Sequence, residues 1–387
     1  MLIPKNLFRY DLAIVAIMKC EAPYIKEWLD YHLLAGVDHF FIYDNDSPDN
    51  QAQIVKPYVN AGLVDYIPLP GKAMQLVAYN DAINRFKFRC RYMAFIDGDE
   101  FIFPKTDQSI VEVIDETLSD TDKIAGLSVH WQHFGSSGQD KADYSRGVLE
   151  RFTQRAPKNW HGNIVVKTIC NPRLVSFFNN AHYANFFRGY RSASESGNVG
   201  LGARRNPIQF DKIVINHYHC KSREEYSQRK TRGRALKFHS DKYCDATFDK
   251  YDQNQEFDDG ILKYRDARAK IYQQPINREV KINEKTLLDN AGNMEVLLTC
   301  LFSASQLQEQ SLNAILKLLA GEPTLTDIQF LFKSLPEILS LDYPAVADVK
   351  KLVAKHIPIL ISDAHAHSEW QRYSALDYLQ RFLKGVD

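Results

Sequence analysis

The run Tyr92-Met93-Ala94-Phe95-Ile96-Asp97-Gly98-Asp99-Glu100-Phe101 is apolar for five residues and then sets three carboxylates within four positions. Like charges this close repel, and a divalent cation between them offsets the cost. Mg²⁺ or Mn²⁺ held by one or two carboxylates completes its shell with water and phosphate oxygens. An acidic loop after a strand fits the same residues. Far along the chain, Ile213-Val214-Ile215-Asn216-His217-Tyr218-His219 reads as a strand with histidines at its end. Lys221, Ser222 and Arg223 follow at a helix start, and residues 221 to 242 hold eight Lys/Arg against three Asp/Glu. A helix N-terminus flanked by cations favours an anion. Carboxylates, a histidine and a cationic helix start together describe a metal-diphosphate site.

A third segment, Trp131-Gln132-His133-Phe134-Gly135-Ser136-Ser137-Gly138, combines an indole and an imidazole with small residues and hydroxyls. Sugars offer apolar ring faces and many hydroxyls, so this mixture suits an acceptor or donor-sugar pocket, as it also suits a core Trp before a Gly turn. Trp160, His161 and His182 are candidates for the same cleft. His365 and His367 lack a third ligand of clear spacing and are assigned no role.

The elements that must position these residues alternate. Leu12 to Met18 is a strand, Tyr24 to Leu34 a helix, His39 to Tyr43 a strand that stops at Asp44-Asn45-Asp46-Ser47-Pro48-Asp49. A helix from about Asn50 to Tyr58, a strand near Leu63 to Pro68, a helix near Gln75 to Phe86 and the strand Tyr92 to Ile96 complete βαβαβαβ, which predicts a mostly parallel sheet covered by helices. Ligands of such sheets bind at the carboxyl ends of the strands. Those ends are Lys19 to Glu21, Asp44 to Asp49 and Asp97 to Glu100. From Ile124 to Tyr218 short strands and Gly/Ser/Asn loops replace the alternation. A helix from Arg223 to Lys237 follows, then a polar stretch from Asp241 to Asp259 read as a linker or exposed loop and a short helix near Ile261 to Tyr272. Beyond about residue 280 the apolar spacing is helical, with Pro323, Pro336, Pro344 and Pro358 punctuating short helices. The expected division is an α/β domain at 1–275 and an all-α domain at 276–387.

Composition narrows the function classes. Among 387 residues, 48 Lys+Arg balance 48 Asp+Glu, with 45% hydrophobic residues, 20 Tyr and 22 Phe. Neutrality argues against a nucleic-acid binder, and the aromatic content against a disordered acidic hub. Six cysteines are scattered singly, which fits a reducing compartment. Leu12 to Met18 is too short for a membrane span and lacks a small-residue cleavage site, so the expectation is a cytoplasmic protein whose membrane contact, if any, is peripheral at the inner membrane.

Lys19-Cys20-Glu21, Tyr24-Ile25, Glu27-Trp28-Leu29, Tyr31-His32, Gly36 and His39 through Ser47 resemble the opening of glycosyltransferase family 92 and its family-2-like relatives. The likeness continues through Gln75, Ala78-Tyr79-Asn80-Asp81, the Asp97-Gly98-Asp99-Glu100-Phe101 motif, Trp131 with His133 through Gly138, Asn216-His217-Tyr218, Lys221-Ser222, Glu224-Glu225-Tyr226 and Arg232-Gly233. It covers roughly residues 12 to 235. The resemblance implies a GT-A fold (a Rossmann-like nucleotide-diphospho-sugar transferase domain), a UDP-sugar donor and a divalent metal, usually Mn²⁺. Asp97 and Asp99 would form the DxD motif on the donor diphosphate, with His217 the later metal ligand. Asp44 would bind uracil, Glu21 would lie near the ribose, Gln75 would belong to the donor site, and Lys221 would neutralise diphosphate charge.

An inverting transfer also needs a general base for the acceptor hydroxyl. Between Arg151 and Phe210 the sole carboxylate is Glu195, and Glu150, opening a short helix with Arg155 below it, is the other and favoured candidate. The expectation is a metal-dependent inverting glycosyltransferase moving galactose from UDP-galactose to a glycan acceptor such as a bacterial capsule or lipopolysaccharide chain. The helical domain is a candidate for homo-oligomerisation or docking. A metal-dependent nucleotidyltransferase or sugar-phosphate hydrolase, and a catalytically silent glycan-binding scaffold, are the rivals.

Overall fold

A computed structural model describes residues 4–119, 123–232, 245–264, 280 and 282–366. The chain divides into two compact units, one comprising 10–277 and the other 278–387 together with residues 3–9. The helix from residue 233 to Lys237, most of Ile261 to Tyr272, His367 and the C-terminal stretch after it lie outside the described residues.

The first unit opens with β1 (Tyr10–Met18), α1 (Ile25–Leu34), β2 (His39–Asp44), α2 (Gln51–Asn60), β3 (Val64–Pro68), α3 (Gln75–Phe86) and β4 (Cys90–Phe95). β1 pairs in parallel with β2 and β4, and β2 with β3, giving the order β4-β1-β2-β3. Every residue of β1 is buried, because the strand is covered on both faces. Its period-2 alternation sends Leu12, Ile14, Ala16 and Met18 to one core with Trp28, Phe40 and Ile42, and Ala13, Val15 and Ile17 to another with Phe41, Tyr79 and Phe95.

β5 (Glu100–Pro104), α4 (Ile110–Ser119), β6 (Ile124–His133), the one-turn α5 (Val148–Arg151), β7 (Gln154–Arg155), β8 (Val166–Cys170), β9 (Val175–Phe177), β10 (Asn185–Phe186), β11 (Arg191–Ala193), β12 (Val199–Gly200) and β13 (Ile213–His217) follow. β8 enters antiparallel between β4 and β6, so the sheet is mixed, with its parallel pairings concentrated in β4-β1-β2-β3. β13 lies parallel to β6 and antiparallel to β5. This pairing sets Glu100 opposite His217 and His133 beside His217, bringing three distant segments to one strand end.

Helix α1 fixes β5. Trp28 Nε1 donates to the Glu100 carbonyl oxygen at 2.8 Å and the Tyr31 hydroxyl to that of Ile102 at 2.8 Å. The buried His32 ring donates from Nδ1 to the Trp28 carbonyl at 2.8 Å and accepts the Ile102 N–H at Nε2 at 3.2 Å. Burial, only partly opposed by the Trp28 bond, pushes this imidazole down to about 3. The unfolded chain therefore binds the proton first, and the stability supplied by neutral His32 is complete above about pH 6.5 and lost as pH falls toward 3. At pH 5 the ring alone is expected to remove about 2 kcal/mol relative to pH 7. Urea denaturation at the two pH values measures this, and His32→Gln should erase that part of the difference; a wild type equally stable at both would contradict it.

α6 (Arg223–Arg232), α7 (Asp245–Tyr251) and β14 (Glu256–Phe257) complete the unit. The expected linker at 241–259 is, over its described part, a structured strap. β14 pairs with β7, and Asp258 accepts from both Gln132 and Arg155 at 2.8 Å. Asp252 accepts the Ser136 N–H at 2.6 Å and Asn254 that of Ser137 at 2.8 Å, so the polar side chains that read as solvated serve as acceptors for the Gly135 to Gly138 loop. A Cβ on Gly135 would stand 2.5 Å from the Gln253 carbonyl oxygen. Gly135→Ala is expected to cost about 1–3 kcal/mol, as backbone must shift to relieve the overlap. Chemical denaturation reads the loss, and an unchanged midpoint would show that the strap is not seated on the loop.

The second unit holds α8 (Glu284–Asp289), α9 (Met294–Ser303), α10 (Gln308–Ala320), α11 (Leu325–Lys333), α12 (Leu335–Leu339) and α13 (Ala345–Ala366). Asn283 and Thr324 begin α8 and α11 with capping boxes. Leu297, Leu301, Leu312, Ile315 and Leu319 are fully buried at helical spacing. Pro358 does not end a helix as expected but lies inside α13, where Val349, Val353, Ile357 and Leu360 are buried along one face. That packing outweighs the backbone hydrogen bond a proline removes.

Candidate active site

The carboxyl ends of β1, β2 and β4 converge, as parallel pairing on either side of β1 requires. Glu21 is buried, and its backbone N–H donates to Gln51 Oε1 at 3.0 Å. Gln51 in turn donates to the Tyr66 hydroxyl, and Asp44 accepts the Ser47 N–H at 3.1 Å. Cys20 N–H reaches Ser47 and Ala22 N–H reaches Asp49, each at 3.0 Å, so the loops after β1 and β2 are stitched together. Glu21 also abuts the acidic motif: a Cβ on Gly98 would lie 3.4 Å from its Cγ. The structure thus brings Glu21, Asp44 and Asp97-Gly98-Asp99 to one rim. Cys20 and Asp46 hold positive φ angles of 54° and 59° there, strain that clusters at functional sites.

The two aspartates of the motif have different surroundings. Asp97 receives Gln75 Nε2 at 2.6 Å on one oxygen and Lys167 Nζ at 2.8 Å on the other. Gln75, expected at the donor, therefore orients Asp97. Lys167, on β8 and wholly buried, lies 3.4 Å from Glu100 as well. Burial lowers the ammonium's proton affinity, but Asp97 and Glu100 outweigh it and hold Lys167 charged. Burial pushes the Glu100 carboxyl up, with Lys167 opposing and Asp97 and Asp99 adding to the rise.

Asp99 lies 3.7 Å from His217 Nε2 and accepts from Arg229 Nη2 at 2.7 Å. Burial disfavours its charge, but Arg229, His217 and Lys221 prevail and hold the carboxyl well below the usual range. Ligand atoms of Asp99, His217 and His219 lie within 4.8 Å of one another. Burial, reinforced by Arg229 and His217, keeps the His219 imidazole neutral and able to donate a lone pair. Two imidazoles and a carboxylate suit a transition ion such as Mn²⁺ better than Mg²⁺, which prefers oxygen alone. Asp97, expected as a metal ligand, is held by Gln75 and Lys167 and is not among the three residues whose ligand atoms converge; His219, beside Asp99 and His217, is. The sequence signal for His219 is its place as the second member of His217-Tyr218-His219. Arg229 and Lys167 carried no local signal, since each acts through a carboxylate more than 65 positions away.

Beside the cluster lies an aromatic wall. The Trp131 ring is 4.2 Å from His217 and 5.1 Å from His182, and His133 is 4.7 Å from Trp160, whose ring is also 4.7 Å from His161. Tyr251 of the strap closes on His219 at 5.1 Å and His133 at 5.8 Å. The residues singled out as sugar-binding candidates form one network of ring contacts with the metal-ligand candidates.

Ser222 and Glu225 form a capping box at the start of α6, Ser222 receiving the Glu225 N–H and Glu225 receiving that of Ser222. Glu225 also pairs with both terminal nitrogens of the buried Arg151 at 2.8 and 2.9 Å and accepts from the Tyr24 hydroxyl at 2.8 Å. These bonds overcome burial and pull the Glu225 carboxyl down to about 2. Lys221, just before the cap at φ 53°, is buried with Nζ 4.0 Å above the Tyr24 ring.

The surroundings of both base candidates differ from those expected. Glu195 accepts backbone N–H groups from Asp211 at 2.6 Å, Lys212 at 3.0 Å and Ile213 at 2.8 Å. Its carboxylate is spent at the start of β13, about 13 Å of strand from His217 at the other end, which removes it as a general base. Arg155 does not lie with Glu150 but pairs with Glu256 and Asp258. Glu150 is 3.9 Å from Arg146, and the N–H groups that begin its helix are capped by Glu27.

No described helix is long and apolar enough to cross a membrane. Among known proteins, the chain is similar to a glycosyltransferase family 92 protein of Ricinus communis, at 26% identity over 54% of this chain and 35% of that protein. It is similar to a galactan beta-1,4-galactosyltransferase of Arabidopsis thaliana at 27% identity over 23% of this chain and 19% of that one. A solved structure, S. aureus TarS 1-349 in complex with UDP-GlcNAc, aligns at 12% identity over 97% of this chain and 92% of that one, with a TM-score of 0.34. The chain spans about a third of the length of the family 92 relatives it matches. The model of the family itself, described as glycosyltransferase family 92, matches residues 18–286, and the chain belongs to that family.

Proposed function

We propose that the protein is a metal-dependent inverting glycosyltransferase of the GT-A type, moving a hexose from a UDP-sugar to a glycan acceptor. The observation that carries this reading is the Asp99, His217 and His219 set at the rim where Glu21 and Asp44 end their strands. Those three residues would hold Mn²⁺, which as a Lewis acid supplies charge stabilisation to the departing nucleoside diphosphate. Asp44 and Glu21 would take the uridine. Lys221 and Arg229 contribute positive charge near Asp99, and Asp97, held by Gln75 and Lys167, reaches the cleft as a fixed acceptor for donor hydroxyls. The Trp131 and Trp160 rings suit the apolar faces of sugars. Glu150 is the carboxylate we assign as general base. Galactose is the donor sugar favoured, in line with the partial similarity to galactan galactosyltransferases.

The acceptor reading is a capsule or lipopolysaccharide chain. The named relatives are plant proteins, so β-1,4-galactan oligosaccharides belong in the same acceptor screen. The α/β domain at 1–275 carries the reaction, and the helical domain at 276–387 serves oligomerisation or docking. A cytoplasmic location with peripheral membrane contact accords with Cys90, Cys170, Cys220 and Cys300 being free thiols.

Thermal-shift screening of nucleotide sugars with and without Mn²⁺ tests the reading, since a ligand of the native state alone raises stability by mass action. UDP-galactose with Mn²⁺ should stabilise most. No stabilisation by any UDP-sugar would overturn it, and donor turnover releasing pyrophosphate without an acceptor would favour a nucleotidyltransferase or hydrolase.

A further inference from the structure

At the sheet edge, away from the Asp99 cluster, a cavity of about 150 Å³ is lined by His130, Ser194, Asn198, Gly200, Arg204 and Arg205, among others. His130 is on β6, Ser194 follows β11 and Gly200 ends β12, while Arg204 is bridged to Val165. None of its lining residues is a ligand candidate of the metal set.

Arg205 is 8% exposed. Its Nη2 donates to Ser192 at 2.8 Å and its Nε to the Gly202 carbonyl at 3.2 Å, but Nη1 has no acceptor among the described residues. Nor does any described carboxylate pair with this guanidinium. Glu195 has both oxygens engaged by backbone N–H groups, and Asp211, the acid nearest in sequence, pairs with Lys158 at 2.8 Å. Burial therefore acts on Arg205 without opposition and lowers its proton affinity. A buried charge with a hydrogen left over is unfavourable until an anion arrives. A guanidinium presents its N–H groups as a planar fork matched to two oxygens of one carboxylate or phosphate. Exposed Arg204 adds a second cation, and Asn198, which gives one amide hydrogen to Ser196 at 3.2 Å, adds its other as a donor; the Ser194 hydroxyl is already given to Gln209.

We propose that this cavity is a second ligand site, distinct from the donor site, which takes a small oxyanion: a phosphate or carboxylate group, free or carried on a sugar. Occupation satisfies Arg205 Nη1 and neutralises its charge.

Isothermal titration and thermal shift of the full chain with inorganic phosphate, glucose 6-phosphate, glucuronate and, as neutral control, glucose provide the test. At least one anion should bind the wild type, glucose should not, and Arg204→Gln and Arg205→Gln should each weaken binding at least tenfold. Response to both phosphates alone identifies a phosphate site, and response to glucuronate identifies a carboxylate site. Because Arg205 also braces Ser192 and Gly202, Gly200→Ala is a second route: its Cβ would press on Arg205 Nη1 and displace the fork. UDP-sugar stabilisation should be unchanged in all three variants, which separates this inference from the donor reading. No response to any anion, or equal responses in wild type and variants, overturns it.

Discussion

Asp99→Asn is expected to lower sugar transfer at least about 10³-fold, equivalent to about 4 kcal/mol of transition-state stabilisation, and to abolish tight Mn²⁺ binding. The substitution keeps shape and removes charge. It takes one ligand from a three-residue set and leaves His217 and His219 alone to compete with water. Arg229 simultaneously loses the carboxylate it meets at 2.7 Å, so a positive charge remains where the metal should sit. Metal titration followed by electron paramagnetic resonance separates ion loss from collapse of the fold. His219→Ala should weaken Mn²⁺ in the same assay while leaving the Asp99 and Arg229 pair intact. Asp97→Asn should behave differently, with transfer reduced but the ion retained. An Asp99→Asn protein with wild-type transfer would sink the metal assignment, and intact glycan binding and cellular function in it would favour the scaffold reading.

The contrast between the two aspartates shows where sequence reasoning reached and where it stopped. The apolar alternation of β1, β2 and β4 is a local property, so the three strand ends and their carboxylates followed from periodicity alone. What one strand end does to another is not local. Lys167 sits in Val166-Lys167-Thr168-Ile169-Cys170, a run that announces a buried strand with an unexplained lysine. Only the antiparallel entry of β8 beside β4 reveals that the lysine belongs to Asp97 and Glu100.

The cationic stretch after His219 teaches the same lesson from the other side. Its charges looked like one surface facing a diphosphate. In the structure Arg229 pairs with Asp99, Lys221 lies over Tyr24, and Arg223 turns to Asp249 at 2.8 Å. Helical geometry distributes successive charges around the axis, so a charge run predicts a charged helix and leaves its partners to the packing. Glu195 failed as a base for a related reason. It is the sole carboxylate between Arg151 and Phe210, but the Ser/Gly loop that carries it turns back and uses it to cap three N–H groups.

Lys167→Met should cost about 3–5 kcal/mol, the loss typical of removing one partner from a buried ion pair, although Met fills nearly the same space. Lys167 and Glu100 are both fully buried, with Nζ 2.8 Å from Asp97 and 3.4 Å from Glu100. Without the ammonium, Glu100 has no charge to oppose the burial that already pushes its carboxyl up. Its folded-state affinity for a proton then exceeds the unfolded value by more than in the wild type. Such a group supports the fold below its unfolded pKa of about 4.3 and withdraws that support as pH rises through the folded value. The deficit of Lys167→Met should therefore be largest above the raised folded-state value of the wild-type Glu100 carboxyl and shrink as pH falls below it. Adding Glu100→Gln should recover part of the loss at pH 7 and flatten the pH dependence, because a neutral amide needs no counter-ion. Urea denaturation of wild type, single and double variants from pH 4 to 8 measures these effects. A deficit independent of pH, with no recovery in the double variant, would mean that Lys167 acts by packing alone.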